Sequence, residues 1–111
     1  MIARLPTLTA VVGLFVCTAG FAASDRSEPT THTVTIEEMR FHPERLTVAP
    51  GDTIVWVNKD LVPHTATSEA GRFDSQTIQT AQSWKFTART KGEFAYICSF
   101  HPTMEAMLNV K

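Results

Sequence analysis

Residue types that bind metal ions occur close together near the C-terminal end of the chain. The segment Cys98-Ser99-Phe100-His101-Pro102-Thr103-Met104 has the spacing C-x2-H-x2-M, which brings a thiol, an imidazole and a thioether together along the sequence. A second imidazole stands upstream, where His64 follows Pro63 in a segment with the composition of a loop. Thiolate and thioether sulfurs are soft metal ligands, and imidazole binds several transition metals. The pattern therefore predicts one metal centre formed by His64, Cys98, His101 and Met104.

The donor set indicates which metal the centre would hold. Two histidines, one cysteine and a weak axial methionine form the ligand set of mononuclear type 1 (blue) copper sites. A zinc site would use the cysteine and the histidines, but the methionine would add nothing to it. Met107 is an alternative axial ligand, although its approach to the last predicted strand favours packing. We therefore predict one copper ion, with Met104 as its axial ligand.

The composition excludes several classes of protein. The chain has 111 residues, the length of one domain, and its 10 basic and 11 acidic residues give a net charge of −1. Such a balance offers no basic patch for nucleic acid. Two cysteines are too few for a small domain that is stabilised by several disulfides. Hydrophobic residues make up 43% of the chain, which is typical of a folded domain and not of a disordered tail.

The N-terminal segment has the pattern of an export signal. Arg4 precedes an uncharged, mostly apolar run, and small residues follow it up to Ser24. We therefore predict a secretory signal peptide over residues 1–22, cleaved after Ala22, with a polar leader over 23–31 and the folded domain over 32–111. Cleavage would remove Cys17 and leave Cys98 as a single thiol, which raises the expectation that a metal uses it.

Most of the remaining chain is predicted to form β-strands. Apolar residues alternate with polar ones from Val34 onward, and this periodicity places Met39 and Phe41 on the buried face. Trp56, Trp84, Phe86, Phe94 and Tyr96 are expected in the core, whereas His32 and His42 are expected to be solvated. The stretch 102–107 would form at most one helical turn, before a last strand near 108–110. Seven to eight short strands separated by turns predict an all-β antiparallel sandwich or barrel.

Three segments of the sequence resemble those of the small cupredoxins. They are Phe41–Asn58, which ends in Thr-Ile-Val-Trp-Val-Asn, then Pro63-His64-Thr65, then Tyr96–Met104. The short C-x2-H-x2-M loop is most similar to that of the amicyanins, since plastocyanins and pseudoazurins have a longer gap before the methionine. The resemblance implies a Greek-key cupredoxin fold over residues 32–111. It also implies that His64, Cys98, His101 and Met104 bind one copper ion.

The sequence departs from the amicyanin pattern immediately after the first histidine. An asparagine follows that histidine in amicyanins, whereas Thr65 stands here. The backbone N–H of Thr65 can still donate to the Cys98 sulfur. The side-chain link to the other ligand loop would have to be a hydroxyl contact, from Thr65 to Ser99. Hydrogen bonds around a ligand tune such centres, so this departure affects tuning and not the existence of the site.

The resemblance also implies a function and a docking surface. It implies an exported, periplasmic electron-transfer protein that cycles between Cu(II) and Cu(I) and passes electrons through the exposed edge of His101. Redox proteins would dock transiently on an apolar collar around that ring. The expected partners are an amine dehydrogenase and a c-type cytochrome, with no nucleic acid and no membrane span after cleavage, and the protein is expected to be a monomer. The predicted collar is formed by Leu61, Val62, Pro63, Phe100, Pro102 and Met104.

Two other functional classes use the same residues. A copper carrier or buffering protein would have the same ligands, and a faster exchange of the metal would distinguish it. An enzyme with a cysteine–histidine pair would need a substrate cleft and a group that orients the histidine. Four ligands also leave no open coordination position, unlike a catalytic metal site. We therefore expect the protein not to be an enzyme.

Overall fold

The computed structural model describes residues 3, 7, 9–16 and 28–111. The predicted cleavage site after Ala22, Cys17 and most of the polar leader lie outside the described residues. Within these described residues there are eight strands, which are β1 (Thr31–Glu37), β2 (Arg40–His42), β3 (Arg45–Val48), β4 (Thr53–Asn58), β5 (Thr67–Ser68), β6 (Ser83–Thr87), β7 (Gly92–Cys98) and β8 (His101–Val110).

The strands form two four-stranded sheets that pack as a sandwich. One sheet has the order β2-β1-β4-β6 and the other has the order β3-β8-β7-β5. The predicted all-β sandwich of seven to eight strands is therefore confirmed. Both sheets are mixed, because β1 pairs with β4 and β3 pairs with β8 in parallel, while the other neighbours are antiparallel. Period-two alternation reports which side chains are buried but carries no information on the direction of the neighbouring strand.

The core lies between the sheets and is rich in aromatic rings. Strand β4 alternates strictly, so that Ile54, Trp56 and Asn58 are buried while the residues between them are partly exposed. The Trp56 ring meets the edge of Tyr96 from the opposite sheet, with the ring centroids 5.6 Å apart. Burial raises the pKa of Tyr96 to about 12, because the phenolate cannot be solvated there. Trp56 and Tyr96 lie in the core as predicted, whereas Trp84, Phe86 and Phe94 are only partly buried and pack against it.

Two sequence expectations for single strands are wrong. Met39 is 41% exposed, because Glu38 and Met39 have φ angles of 54° and 59° and form a turn between β1 and β2. The alternation therefore stops at Glu37 and restarts at Phe41, which is buried. The stretch predicted to form at most a helical turn instead belongs to β8, which begins at His101 and runs for 10 residues.

A buried carboxylate ties the beginning of β1 to the turn before β4. Asp52 accepts hydrogen bonds from the Thr30 and Ala49 N–H groups, at 2.9 and 3.0 Å. The His32 Nε2 atom lies 2.8 Å from Oδ2, the oxygen that also accepts the Ala49 N–H. The expectation that His32 is only solvated is therefore wrong. The Thr30 N–H bond, followed by those from His32 and Ala49, lowers the pKa of Asp52 from 3.8 to about 2.

We expect this carboxylate to make folding stability depend on pH. Because the pKa of Asp52 is lower in the folded state, ionised Asp52 stabilises the fold above its unfolded pKa of 3.8, and that stabilisation disappears as the pH falls to about 2. Asp52→Asn should therefore lower the free energy of unfolding at neutral pH. The difference from the natural chain should shrink between pH 4 and pH 2, to be measured by urea unfolding at each pH.

The Glu37→Gln substitution, at an exposed position of β1, is the control for removing a carboxylate. It should change the unfolding free energy little at any pH, because an exposed side chain without such bonds contributes little. A difference between the natural chain and Asp52→Asn that stays constant down to pH 2 would contradict the prediction.

Candidate metal centre

The structure brings three of the predicted ligands together at one end of the sandwich. His64 lies in the β4–β5 loop, Cys98 ends β7 and His101 begins β8. The Cys98 Sγ atom is 3.6 Å from Nδ1 of His64 and 3.6 Å from Nδ1 of His101. The ligand atoms of the three residues all lie within 4.8 Å of one another, so these residues are placed to hold a metal ion.

The local backbone explains why Cys98 and His101 converge. The register between β7 and β8 shifts at Ile97/Cys98, and Cys98 then pairs directly with His101 across a two-residue turn. Such an irregularity re-aims side chains at the end of a strand pair. It follows that one hairpin end supplies both a thiol and an imidazole to the same point.

The Cys98 sulfur lies in the core and receives a backbone hydrogen bond. Cys98 is fully buried, and the Thr65 N–H donates to its Sγ atom at 3.4 Å. Burial of a polar or charged group is costly unless it is paired. The Thr65 N–H thus gives the buried sulfur atom a polar partner and helps to hold it in place.

The predicted hydroxyl link between the two ligand loops is confirmed. The Thr65 Oγ1 atom lies 3.0 Å from the Ser99 Oγ atom and accepts the Ser99 N–H at 2.8 Å. The Thr67 hydroxyl lies 2.8 Å from the same oxygen. Thr65 therefore joins the loop of His64 to the turn that follows Cys98, through both its backbone and its side chain.

The buried His64 ring is held from its far side by a carboxylate that the sequence analysis missed. The Nε2 atom of His64 lies 2.8 Å from Oδ2 of Asp60, which leaves Nδ1 facing Cys98. The backbone of His64 exchanges two hydrogen bonds with Ile78, at 3.1 and 2.7 Å. Metal-binding histidines commonly donate their second ring N–H to a carboxylate, which fixes the orientation of the ring. An aspartate four residues before the histidine was the available signal.

Asp60 is itself held in place by three neighbours. It accepts the N–H groups of Glu38 and Met39, at 2.7 and 3.0 Å, and its own N–H donates to Asn58 Oδ1 at 2.9 Å. Burial raises the pKa of Asp60, but the bonds from Met39, His64 and Glu38 outweigh it, so that the pKa lies below its usual value. The carboxylate is thus ionised at neutral pH and joins the β1–β2 turn to the metal centre.

His101 and Met104 occupy different environments. His101 is half-buried, and its ring centroid lies 5.2 Å from that of His64. Met104 is only 5% exposed, so it does not belong to the exposed collar in which the sequence analysis included it. The other residues predicted for the collar are exposed, with Leu61 at 92% and Phe100 at 51%.

The geometry and the donor chemistry together fit a copper ion. A metal that binds imidazole nitrogen at about 2 Å and thiolate sulfur at about 2.3 Å separates the two atoms by about 3.5 Å at a near-tetrahedral angle. Both observed N–S distances match this value. Two imidazoles and a thiolate, with a buried thioether near them in sequence, make a set of soft and intermediate donors that suits copper. The fold and the site therefore define a β-sandwich protein with a mononuclear copper centre.

Comparison with known proteins identifies the family. The sequence profile of the cupredoxin-like domain matches residues 7–110, and the chain belongs to this family. It is 28% identical over 83 residues to amicyanin from Paracoccus versutus, an alignment that covers 70% of this chain and 63% of that protein. It is 32% identical over 94 residues to the methylamine utilization protein MauL from Methylophilus methylotrophus, which covers 80% of this chain and 53% of that protein.

The solved structures agree with this family. The structure of a methionine-to-alanine mutant of amicyanin with Cu(I) superposes with a TM-score of 0.69 at 26% identity, covering 73% of this chain and 82% of that one. The present chain spans less than two thirds of the length of the two curated relatives described above. Within the described part of the chain, no helix has the length and apolar character that crossing a membrane requires.

We expect Asp60 to control how tightly the centre holds its metal. In Asp60→Asn, an amide NH2 replaces an oxygen that accepts from His64, Met39 or Glu38, so one of these donors loses its partner. The affinity for Cu(I) should fall about 10- to 100-fold, as is usual when such a carboxylate is removed. Competition with a coloured Cu(I) chelator would measure the change.

Asp52→Asn is a closely matched control for this substitution. Asp52 also accepts two backbone N–H groups and faces a histidine Nε2 atom, but its histidine is not near the metal centre. The Asp52→Asn substitution should lower folding stability and leave the Cu(I) affinity of the folded protein unchanged. Equal losses of affinity in the two variants would show that Asp60 acts only through general stability.

Proposed function

We propose that the protein is an electron-transfer protein that holds one copper ion with His64, Cys98, His101 and Met104. The observation that carries the proposal is the convergence of two imidazole nitrogens and the Cys98 sulfur within 4.8 Å, in a fold of the cupredoxin family. When bound, the copper ion supplies a one-electron change between Cu(II) and Cu(I). The four side chains supply a donor set that is acceptable to both oxidation states.

The surroundings of the ligands support a rigid centre. His64 is fully buried and is held by Asp60 and by the backbone of Ile78, and Cys98 is fixed by the Thr65 N–H. Held on strand ends and hydrogen-bonded loops, these ligands need little rearrangement when the charge of the site changes. A preorganised polar environment of this kind lowers the reorganisation that accompanies a change of charge.

The burial of the two candidate methionines supports Met104 as the axial ligand. Met104 is buried and follows His101 by three residues on β8. Met107 is partly exposed and lines a surface depression on the outer face of the second sheet, together with Glu44 and Glu105. Both methionines lie on β8, but only Met104 is buried, and this burial favours Met104.

The surface beside His101 supports docking of redox partners. His101 is half-buried, and it is flanked in sequence by the exposed Phe100 and Pro102. The exposed Leu61, Val62 and Pro63 precede His64, whose ring lies against that of His101. We propose that electrons enter and leave at the edge of the His101 ring, through brief contacts on this apolar collar.

The proposed partners and compartment follow from the relatives and the N-terminal pattern. The similarity to amicyanin and to a methylamine utilization protein supports redox partners in methylamine utilization. We propose an amine dehydrogenase as donor and a c-type cytochrome as acceptor, the partners that the resemblance implies. The predicted signal peptide over residues 1–22 supports a periplasmic location. We propose that the protein acts as a monomeric electron-transfer protein and not as an enzyme, since a four-ligand centre leaves no position for a substrate.

A Cys98→Ser substitution tests the copper centre directly. The natural chain with one equivalent of Cu(II) should show an intense visible absorption from the thiolate–copper bond, which a mild reductant bleaches. Cys98→Ser should lose this band, because a hydroxyl cannot replace the soft thiolate. A colourless natural protein that binds only Cu(I) would contradict the electron-transfer proposal and favour a copper carrier. A colourless protein that prefers zinc would contradict it and favour a structural zinc site.

Substituting each methionine in turn tests which of the two is the axial ligand, with the visible spectrum and the reduction potential as the measurements. Met104→Leu should shift the visible band and raise the reduction potential, because a sulfur donor is lost. Met107→Leu should leave both unchanged. The reverse result would assign the axial position to Met107.

A charge placed in the collar tests the docking surface. Leu61→Asp should slow electron transfer to a c-type cytochrome about tenfold, because a desolvated charge opposes apolar contact at the centre of an interface. Stopped-flow kinetics at several salt concentrations would measure the rate constant, which should depend only weakly on salt since the net charge is near zero.

The matched control is Thr47→Asp, which adds the same charge at an exposed position of β3. It should leave the rate unchanged. Equal effects of the two variants, or a steep fall of the natural rate with salt, would show that long-range charge and not apolar contact governs docking.

A further inference from the structure

A cavity of about 360 Å³ opens between the two sheets, away from the metal centre. Its walls include Phe86 of β6 and Phe94 of β7, and so come from both sheets. Phe94 precedes Cys98 by four residues on β7, which corresponds to a distance of about 13 Å along the strand. A volume of this size is at the lower end of the range for small-molecule sites.

The floor of the cavity is aromatic. Phe73, Phe86 and Phe94 all line it, and Phe73 is buried. The ring centroids of Phe73 and Phe86 are 4.9 Å apart, and Phe73 also packs against Trp56 in the core. The cavity is therefore an opening onto the aromatic core, and an apolar group that filled it would remove this aromatic surface from water.

Two arginines stand at the mouth of the same cavity. Arg72 and Arg89 line it and are exposed. The ion pairs found in the described part of the chain are His32–Asp52 and His64–Asp60, so neither guanidinium is paired with a carboxylate there. An arginine presents a planar set of N–H donors that matches a carboxylate.

The backbone holds both arginines in position. The Arg72 N–H donates to the Ser68 hydroxyl at 3.4 Å, within a turn that Gly71 N–H closes onto the Ser68 carbonyl. Arg89 follows Ala88, whose N–H and C=O are both bonded to the turn at residues 51–52. Both side chains therefore start from fixed backbone positions in the cavity lining, so less order has to be gained on binding.

We propose that this cavity binds a small organic anion with an aromatic body and a single carboxylate. The ring would lie on Phe73, Phe86 and Phe94, and the carboxylate would be bound by Arg72 and Arg89. This combination of an apolar body and a few convergent polar groups is the general form of a small-molecule site. The site is separate from the metal ligands and does not depend on the electron-transfer proposal.

Phenylacetate is a suitable probe, because it has one ring and one carboxylate. It is added to the full chain loaded with Cu(I), since this ion is diamagnetic and allows NMR signals to be observed. Titration should give saturable shifts of the backbone amide signals of residues 72–73 and 86–94. Arg72→Gln and Arg89→Gln should each weaken binding about tenfold, as expected for loss of one charge-assisted hydrogen-bonding group. Arg40→Gln, on the distant strand β2, is the matched control and should leave binding unchanged.

Two further ligands separate the contributions of the ring and the charge. Phenylacetamide, which keeps the ring but lacks the charge, should bind about tenfold more weakly than phenylacetate. Acetate, which lacks the ring, should give no saturable shifts in the same range. The proposal is wrong if phenylacetamide binds equally well, if acetate binds equally well, if the shifts lie elsewhere, or if phenylacetate causes none.

Discussion

The main constraint on this structure is that a thiol and an imidazole must be held in a fixed orientation inside an apolar core. Cys98 and His64 are both fully buried, and burial of polar groups without partners would cost several kcal/mol. Each has therefore received a specific partner, the Thr65 N–H for the sulfur and the Asp60 carboxylate for the far ring nitrogen. Both partners lie in the β4–β5 loop, whose backbone is fixed by a hydrogen bond from Lys59 to Ile36 of β1 and by two between His64 and Ile78.

Two aspartates have the same pattern of hydrogen bonds but act on different parts of the molecule. Asp52 and Asp60 each accept two backbone N–H groups and lie 2.8 Å from a histidine Nε2 atom. Asp52 ties the start of β1 to the turn before β4, far from the ligands, and so serves the fold. Asp60 ties the β1–β2 turn to His64, and so connects the stability of a surface turn with the orientation of a buried ligand. The difference lies in which histidine each one holds.

Much of the fold and most of the site could be predicted from the sequence, because the patterns that indicate them lie within short stretches of the chain. Spacing within seven residues was enough to predict that Cys98 and His101 converge, and the Thr65–Ser99 contact followed from the residue types next to the ligands. Asp60 was missed because its role depends on amides of residues 38 and 39, which only the folded chain brings to it. Met39 was misplaced for a related reason, since two successive left-handed residues ended an alternation that the sequence pattern carried through.

The parallel pairs could not be predicted from alternation either. β3 lies beside β8, and β1 beside β4, so each of these contacts joins strands that are separated by other elements in the chain. A burial pattern describes a single strand. Which distant strands become neighbours depends instead on the path that the chain takes between the two sheets.

The order of the ligands along the chain has a consequence for when the metal can enter. Cys98 and His101 adjoin β8, the last strand, which also pairs with β3 from the first half of the sequence. A growing polypeptide that has reached only β6 has one histidine of the centre and lacks β7 and β8, two of the four strands of the second sheet. Such a nascent chain has no partial site in which copper could be trapped or could promote oxidation. Copper can therefore be bound only after β7 and β8 have been synthesised and have paired with the earlier strands.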